Sequence, residues 1–166
     1  MSLGIVIVNW NSGTQLLDCL ASIAEAAKRL QHASRMDRVI IVDNGSTDGT
    51  VDFLRSRYPH IGILENDENN YPRALNLGIA RSQGDFVVIS NNDATVHPRW
   101  LQGFLEVMCT DERIGAAQSR ILFSGKNLIN SVGVEEVDHF YFRDIGFEEE
   151  NSERYDAAVE RKYVTG

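Results

Sequence analysis

The run Val39-Ile40-Ile41-Val42 stops at Asp43, and six polar or glycine residues follow before a helical pattern opens near Thr50. Four β-branched apolar residues without interruption suit a strand buried on both faces, the condition of a strand inside a parallel sheet. In open α/β sheets, ligands bind where strands end and helices begin. Asp43 stands at such a place. A carboxylate there can accept an N–H from a ligand, and Asn44-Gly45-Ser46-Thr47-Asp48-Gly49 offers hydroxyls, amides and glycine backbone. A plain turn has the same composition, because Asn, Asp, Ser and Gly each favour turns. A calcium loop does not fit. It needs oxygen ligands at its first, third and fifth positions and Gly at its sixth. Counting from Asp43 puts Gly45 third and Asp48 sixth.

The same grammar recurs along the chain. Leu3 to Val8 reads as a first buried strand ending in Asn9-Trp10-Asn11-Ser12. A helix is expected from about Gly13 to Gln31, with Leu16, Leu17, Leu20, Ile23, Ala27 and Leu30 on one face and Ser12 as its N-cap. A short helix from Val51 to Arg57 stops before Pro59. Ile61 to Leu64 reads as a third strand. Pro72 fits the first turn of the next helix, with Gly84 as its C′ stop. Phe86 to Ser90 is a fourth strand ending in Asn91-Asn92-Asp93. A helix starts at His97-Pro98, and Ile114 to Phe123 reads as a further strand. The order β-α-β-α-β-α-β-α-β implies an α/β, doubly wound, mostly parallel sheet. Beyond Ser124 the pattern weakens. Leu128 to Val137 is expected to hold short strands and Arg143 to Asp156 a mobile acidic loop. Arg161 to Val164 reads as the start of a strand. One domain over 1–166 is expected, with its core at about 3–123 and an irregular tail at about 124–166.

The net charge of −8 disfavours nonspecific nucleic-acid binding, which needs basic patches. Cys19 and Cys109 sit in helical patterns and read as buried small hydrophobes in a reducing compartment. No apolar run reaches membrane-spanning length and no signal peptide is visible. A cytoplasmic location is therefore expected, including a peripheral position at the inner face of the membrane.

Three strands end in polar clusters: Asn9/Asn11, Asp43 and Asn91/Asn92/Asp93. Carboxyl ends of parallel strands share one edge, so residues far apart in sequence converge there. Asp43 can accept the ring N–H of uracil, thymine or guanine. Cytosine and adenine lack it. Asp93 suits Mg²⁺ or Mn²⁺, with water and phosphate oxygens completing the shell and the metal screening charge on a leaving diphosphate. An Asx turn or N-cap is the other reading of Asp93. Arg73, at a helix start, reads either as a phosphate or base contact or as a solvated side chain.

Four segments carry a resemblance. They are Val6-Ile7-Val8-Asn9-Trp10-Asn11, the loop from Val42 to Thr50, the stretch from Asn69 to Ile79, and Ser90-Asn91-Asn92-Asp93. In this order and spacing, across about Leu3 to Leu101, the chain resembles the N-terminal nucleotide-sugar-binding part of family 2 glycosyltransferases, of GT-A fold, most like the rhamnosyltransferase-like branch. The resemblance implies inverting transfer of a sugar from a UDP-, dTDP- or GDP-linked donor to a hydroxyl of a saccharide or lipid-linked saccharide. It implies nucleotide contacts from Asn9, Trp10, Asn11, Asp43, Asn44, Ser46, Arg73, Asn91 and Asn92, and a divalent cation on Asp93. Two departures qualify it. Asn91 stands where the family motif has its first Asp, so weaker metal binding is expected. The family's general base lies in an acidic motif further downstream, and Glu148-Glu149-Glu150 lacks that motif's apolar flanks. Tyr163-Val164-Thr165-Gly166 resembles the strand leading into the acceptor-binding half. The chain is therefore expected to be truncated before that half, competent for donor binding and not for transfer, and self-associating if apolar surface is left bare.

Rival readings fare worse. A sugar-1-phosphate nucleotidyltransferase needs a Gly-rich, basic loop after its first strand. A dinucleotide oxidoreductase needs G-x-G-x-x-G. A phosphoacceptor domain needs a Lys at a later strand end. The alternative of another class is a noncatalytic sugar-nucleotide-binding or partner-binding module.

Overall fold

The structure is a computed structural model that describes residues 1–30 and 39–164. Gln31, the expected end of the first helix, and Thr165-Gly166 lie outside the described residues. Contacts group the chain into two compact units, Met1–Gln102 and Gly103–Gly166.

In the first unit, β1 (Leu3–Asn9), β2 (Val39–Asp43), β3 (Gly62–Glu65) and β4 (Phe86–Asn91) form one parallel sheet in the order β3-β2-β1-β4. Helices α1 (Thr14–Ala27), α2 (Thr50–Arg57) and α3 (Tyr71–Arg81) connect them. The chain steps outward from β1 to β3 and then returns to the far side of β1. Right-handed crossovers therefore put α1 and α2 on one face and α3 on the other. Side chains alternate between these faces. Val6, Val8 and Val42 form a buried cluster with Ala74 of α3, and Ile40, Leu64, Leu75 and Leu77 pack around it. Ile7 and Ile41 are fully buried, as are Leu16, Cys19 and Ile23 of α1. Each large aliphatic buried in this way contributes about 1.5–3 kcal/mol. Every residue of β1 is buried, which is why its sequence is unbroken apolar up to Asn9.

Two glycines set close approaches. A Cβ on Gly78 would lie 2.3 Å from Val6 Cγ1, so α3 sits directly on β1. A Cβ on Gly84 would lie 2.3 Å from the Gly4 nitrogen and 2.6 Å from the Phe86 carbonyl oxygen. Gly84 is thus a backbone-contact residue at the base of β4, not the helix stop expected. The α3 cap is Ser82, in extended conformation. Ser12 does not cap α1 either. Gly13 holds that position without a side-chain hydrogen bond, and the Ser12 hydroxyl instead donates to Asn9 Oδ1.

Helix α4 (Trp100–Met108) carries the boundary between the units. In the second unit the expected strand from Ile114 to Phe123 shrinks to β5 (Ile121–Leu122), which pairs antiparallel with β6 (Ile129–Ser131). Gly115-Ala116-Ala117-Gln118-Ser119 lacks the β-branched run that the parallel strands share, and it forms no regular element. β7 (Val134–Asp138) and β8 (Tyr141–Asp144) form a hairpin. The segment expected to be a mobile acidic loop is pinned by backbone. Ile129 N donates to Glu149 O at 2.9 Å, Glu148 N to Ile129 O at 2.8 Å and Asn151 N to Asn127 O at 3.0 Å, ahead of a 3-10 turn at Glu153–Tyr155. At the chain's end Tyr163 makes a single antiparallel bridge to Val134. Cys19 is buried as expected, but Cys109 follows the last turn of α4 and is exposed. No helix among the described residues is long and apolar enough to cross a membrane.

Candidate functional site

The carboxyl ends of β1, β2 and β4 lie side by side. Asn9 is the register partner of Asp43, and Val8 that of Asn91. The strand order reverses between β1, from which the chain steps outward to β2 and β3, and β4, which it reaches by crossing back, and such a reversal is the topological switch point where α/β folds bind ligands.

Asn9 and Asp43 are both buried. The Asn9 amide nitrogen donates to Asp43 Oδ1 at 2.9 Å and to Ser46 Oγ at 3.0 Å, while Asn9 Oδ1 accepts from Ser12. All the hydrogen-bonding capacity of its nitrogen is therefore spent inside the protein. Asp43 Oδ2 accepts the Ser46 backbone N–H at 2.9 Å. Each carboxylate oxygen keeps a further lone pair for a ligand. Ser46 Oγ also accepts the Asn11 backbone N–H at 3.0 Å, and Thr47 N donates to Asn11 Oδ1 at 2.8 Å. The loops after β1 and β2 are thus stitched together, with Asn11 in the left-handed region at φ 46° and Trp10 53% exposed beside it. Asp48 adds a second stitch. It accepts from the Thr50 hydroxyl at 2.6 Å, the Thr50 N–H at 3.0 Å and the Gly13 N–H at 3.1 Å. The Thr50 hydroxyl, then these backbone donors, hold its carboxyl below the usual range.

Asn44 turns inward. Its Oδ1 accepts from Asn66 Nδ2 at 2.7 Å and from Asn70 N at 3.0 Å, and its Nδ2 donates to Asn69 Oδ1 at 2.8 Å. Asn66 N donates to the Asp43 carbonyl at 2.8 Å. Asn70 Oδ1 in turn caps α3 by accepting from Arg73 N at 3.1 Å. An asparagine chain therefore runs from the end of β2 to the start of α3. Arg73 itself is exposed and pairs with Glu68 at 3.4 Å.

On the other side, Asn91 Oδ1 accepts from the Tyr71 hydroxyl at 3.3 Å. The Asn91 carbonyl accepts from Cys19 Sγ at 3.4 Å. Burial pushes the Cys19 thiol up to about 11, and the Asp93 charge nearby adds to it. Desolvation also raises the Tyr71 phenol. Asp93 is exposed. Among the described residues no cluster of three or more His, Cys, Asp or Glu side chains could hold a metal. On the β4 side of this edge the donor set is the Asp93 carboxylate with amide oxygens. That suits a hard cation which draws most of its shell from water and phosphate.

Sequence reading singled out Asn9, Trp10, Asn11, Asp43, Asn44, Ser46, Arg73, Asn91, Asn92 and Asp93, and all belong to this edge or to the first turn of α3. Asp48, Asn69, Asn70 and Tyr71 lie in the segments that carry the resemblance but have no site role in the sequence, Asn66 lies outside those segments, and the structure gives all five hydrogen bonds to the loops around the site. An open groove of about 370 Å³ lies elsewhere, in the second unit, between β7 and residues 160–163. None of the strand-end residues lines it.

Among curated proteins, the chain is 30% identical over 126 residues to the N-acetylglucosaminyl-diphospho-decaprenol L-rhamnosyltransferase of Mycobacterium tuberculosis, covering 69% of this chain and 39% of that protein. It is 28% identical over 102 residues to glycosyltransferase AglE of Haloferax volcanii, covering 59% of this chain and 32% of that one. The chain thus spans about a third of the length of these relatives. Among solved structures, S. aureus TarS 1-349 in complex with UDP superposes with a TM-score of 0.55 at 18% identity, over 65% of this chain and 32% of that one. The complex of the same protein with UDP-GlcNAc gives 0.52 at 20% identity, over 65% and 31%. These likenesses show the fold, the GT-A type that the sequence resemblance implied. A model of the family described as glycosyl transferase family 2 matches residues 4–160, and with the strand-end site it shows that the chain belongs to that family.

Proposed function

We propose that this chain binds the nucleoside-diphosphate sugar for an inverting glycosyl transfer to a hydroxyl acceptor. The observation that carries the reading is the convergence of Asn9, Asp43 and Asn91 at the switch point, two residues from the exposed Asp93 carboxylate. Asp43 accepts the ring N–H of uracil, thymine or guanine on its remaining lone pairs. Trp10 and Asn11 border the base and ribose. Asn9, Asn44 and Ser46 hold Asp43 and the loop in shape. Asn91, Asn92 and Arg73 face the diphosphate side. Asp93 would hold Mg²⁺ or Mn²⁺, whose charge stabilises the leaving diphosphate. The acceptor hydroxyl, losing its proton to a base not assigned among these residues, attacks the anomeric carbon as the diphosphate departs. The relatives' names favour a saccharide or lipid-linked saccharide acceptor, which fits a cytoplasmic, membrane-peripheral protein. The test is thermal unfolding with UDP, dTDP, GDP or ADP, with and without Mn²⁺. Ligand at about 100 times its Kd adds about 2.7 kcal/mol, a rise of roughly 5–10 °C for a domain of this size. A rise confined to one of the first three, lost in Asp43→Ala and Asp93→Ala, supports the reading. A flat response to all four sinks it.

A further inference from the structure

We propose that Asn91 serves the donor diphosphate as a hydrogen-bond donor, not as a metal ligand, and that Tyr71 is the positioning residue that fixes it in that role. The inference rests on the donor-binding reading above. An asparagine can offer either its carbonyl oxygen to a cation or its two N–H groups to an anion. Here the choice is made by a neighbour. Tyr71 opens α3, directly after the capping Asn70, and its hydroxyl donates to Asn91 Oδ1 at 3.3 Å. One lone pair of the amide oxygen is thereby taken and that oxygen is turned toward α3, which leaves the amide nitrogen, among the described residues, as the group with nothing bound. Asn91 Nδ2 makes no hydrogen bond among the described residues, so both of its protons remain for a ligand. The backbone keeps the residue in place, because its carbonyl accepts from Cys19 Sγ at 3.4 Å and from Ala94 N at 3.4 Å.

The charge balance points the same way. Among the described residues the edge offers one carboxylate near the phosphates, Asp93, and no cluster of acids to share a cation. A neutral N–H donor beside it recovers part of the attraction for an anionic oxygen that a doubly coordinated metal would otherwise supply. Tyr71 is itself tied back through Asn70 to Asn44 and hence to the end of β2. The two halves of the site, base side and diphosphate side, are therefore joined through the first turn of α3.

The decisive variant is Asn91→Asp. Its carboxylate still accepts the Tyr71 hydroxyl, so the link persists, but the N–H donors become a negative oxygen. Binding of UDP, dTDP and GDP is titrated calorimetrically for the wild type, Asn91→Asp, Asn91→Ala, Tyr71→Phe and the Tyr71→Phe/Asn91→Ala double variant. Titrations run in EDTA, or at the lowest Mn²⁺ that gives measurable wild-type binding, and again at saturating Mn²⁺. At limiting metal, Asn91→Asp binds the diphosphate roughly tenfold or more weakly than wild type, and saturating Mn²⁺ closes or reverses the gap. Tyr71→Phe weakens binding severalfold, and adds nothing in the Asn91→Ala background. Wild-type-like affinity of Asn91→Asp at limiting metal overturns the donor role. An equal Tyr71→Phe effect with and without Asn91 overturns the positioning role. If the wild type binds none of the three diphosphates, the donor-binding reading has failed, and this one with it.

Discussion

Asn9 and Asp43 are partners across β1 and β2, and the amide of one, itself fully buried, holds the carboxylate of the other at 2.9 Å. The pair joins two strands and orients the acid that the proposed nucleotide would meet. Removing the amide strands Asp43, Ser12 and Ser46 at once. Asn9→Ala should therefore cost about 2–4 kcal/mol, read as a lower urea midpoint. Asn9→Asp is the sharper probe. It sets a second carboxyl against Asp43, and the introduced group stays protonated in the fold while it ionises in the unfolded chain. Its pKa is raised on folding, so the ionisation part of the variant's deficit is absent below about pH 4 and grows as pH rises. Urea midpoints measured from acid to neutral pH should diverge from wild type in that direction.

Asp48 has the opposite sign. Its carboxyl is lowered by the Thr50 hydroxyl, then by the Thr50 and Gly13 N–H groups. The native chain thus binds fewer protons than the unfolded chain around its titration. The contribution is present above the unfolded pKa of about 4 and is lost as pH falls through the folded value. Asp48→Asn should flatten the acid limb of the stability–pH curve while leaving its slope near neutrality unchanged. An unaltered acid limb would show that the Gly13–Asp48–Thr50 stitch is energetically silent.

Two glycine-to-alanine changes should move stability in opposite directions. A methyl on Gly84 meets the Gly4 nitrogen and the Phe86 carbonyl, backbone atoms that cannot yield without shifting β1 or β4. Gly84→Ala should cost about 1–3 kcal/mol or more. A methyl on Gly103, inside α4, meets nothing within 4 Å. Gly103→Ala should stabilise by up to about 1 kcal/mol through helix propensity. Thermal unfolding of the two variants reads both effects.

The parallel core was legible because burial on both faces writes an unbroken apolar run. Alternation of apolar and polar residues would have suited a half-exposed strand instead, and neither Leu3 to Val8 nor Val39 to Val42 shows it. Their shared edge followed from topology alone. The roles within that edge did not follow. Asn44 reads as a turn residue or a nucleotide contact and Asn66 carries no signal at all, because nothing in the letter distinguishes a solvated asparagine from one 2–4% exposed that ties three loops together. Gly84 read as a helix stop because C′ glycines and contact glycines look alike in sequence. The hairpin β7–β8 was hard to bound because every residue of β8 is exposed, leaving no apolar alternation to read.

Asn44 is followed by Gly45, the pairing in which an asparagine most readily closes on the next backbone nitrogen and deamidates, since glycine offers no side chain to obstruct the ring. In this fold the Asn44 amide is 2% exposed and held by Asn66, Asn69 and Asn70. It is not free to swing toward Gly45. The network that shapes the loop after β2 therefore also slows its chemical ageing, and a molecule that loses the network exposes its own clock.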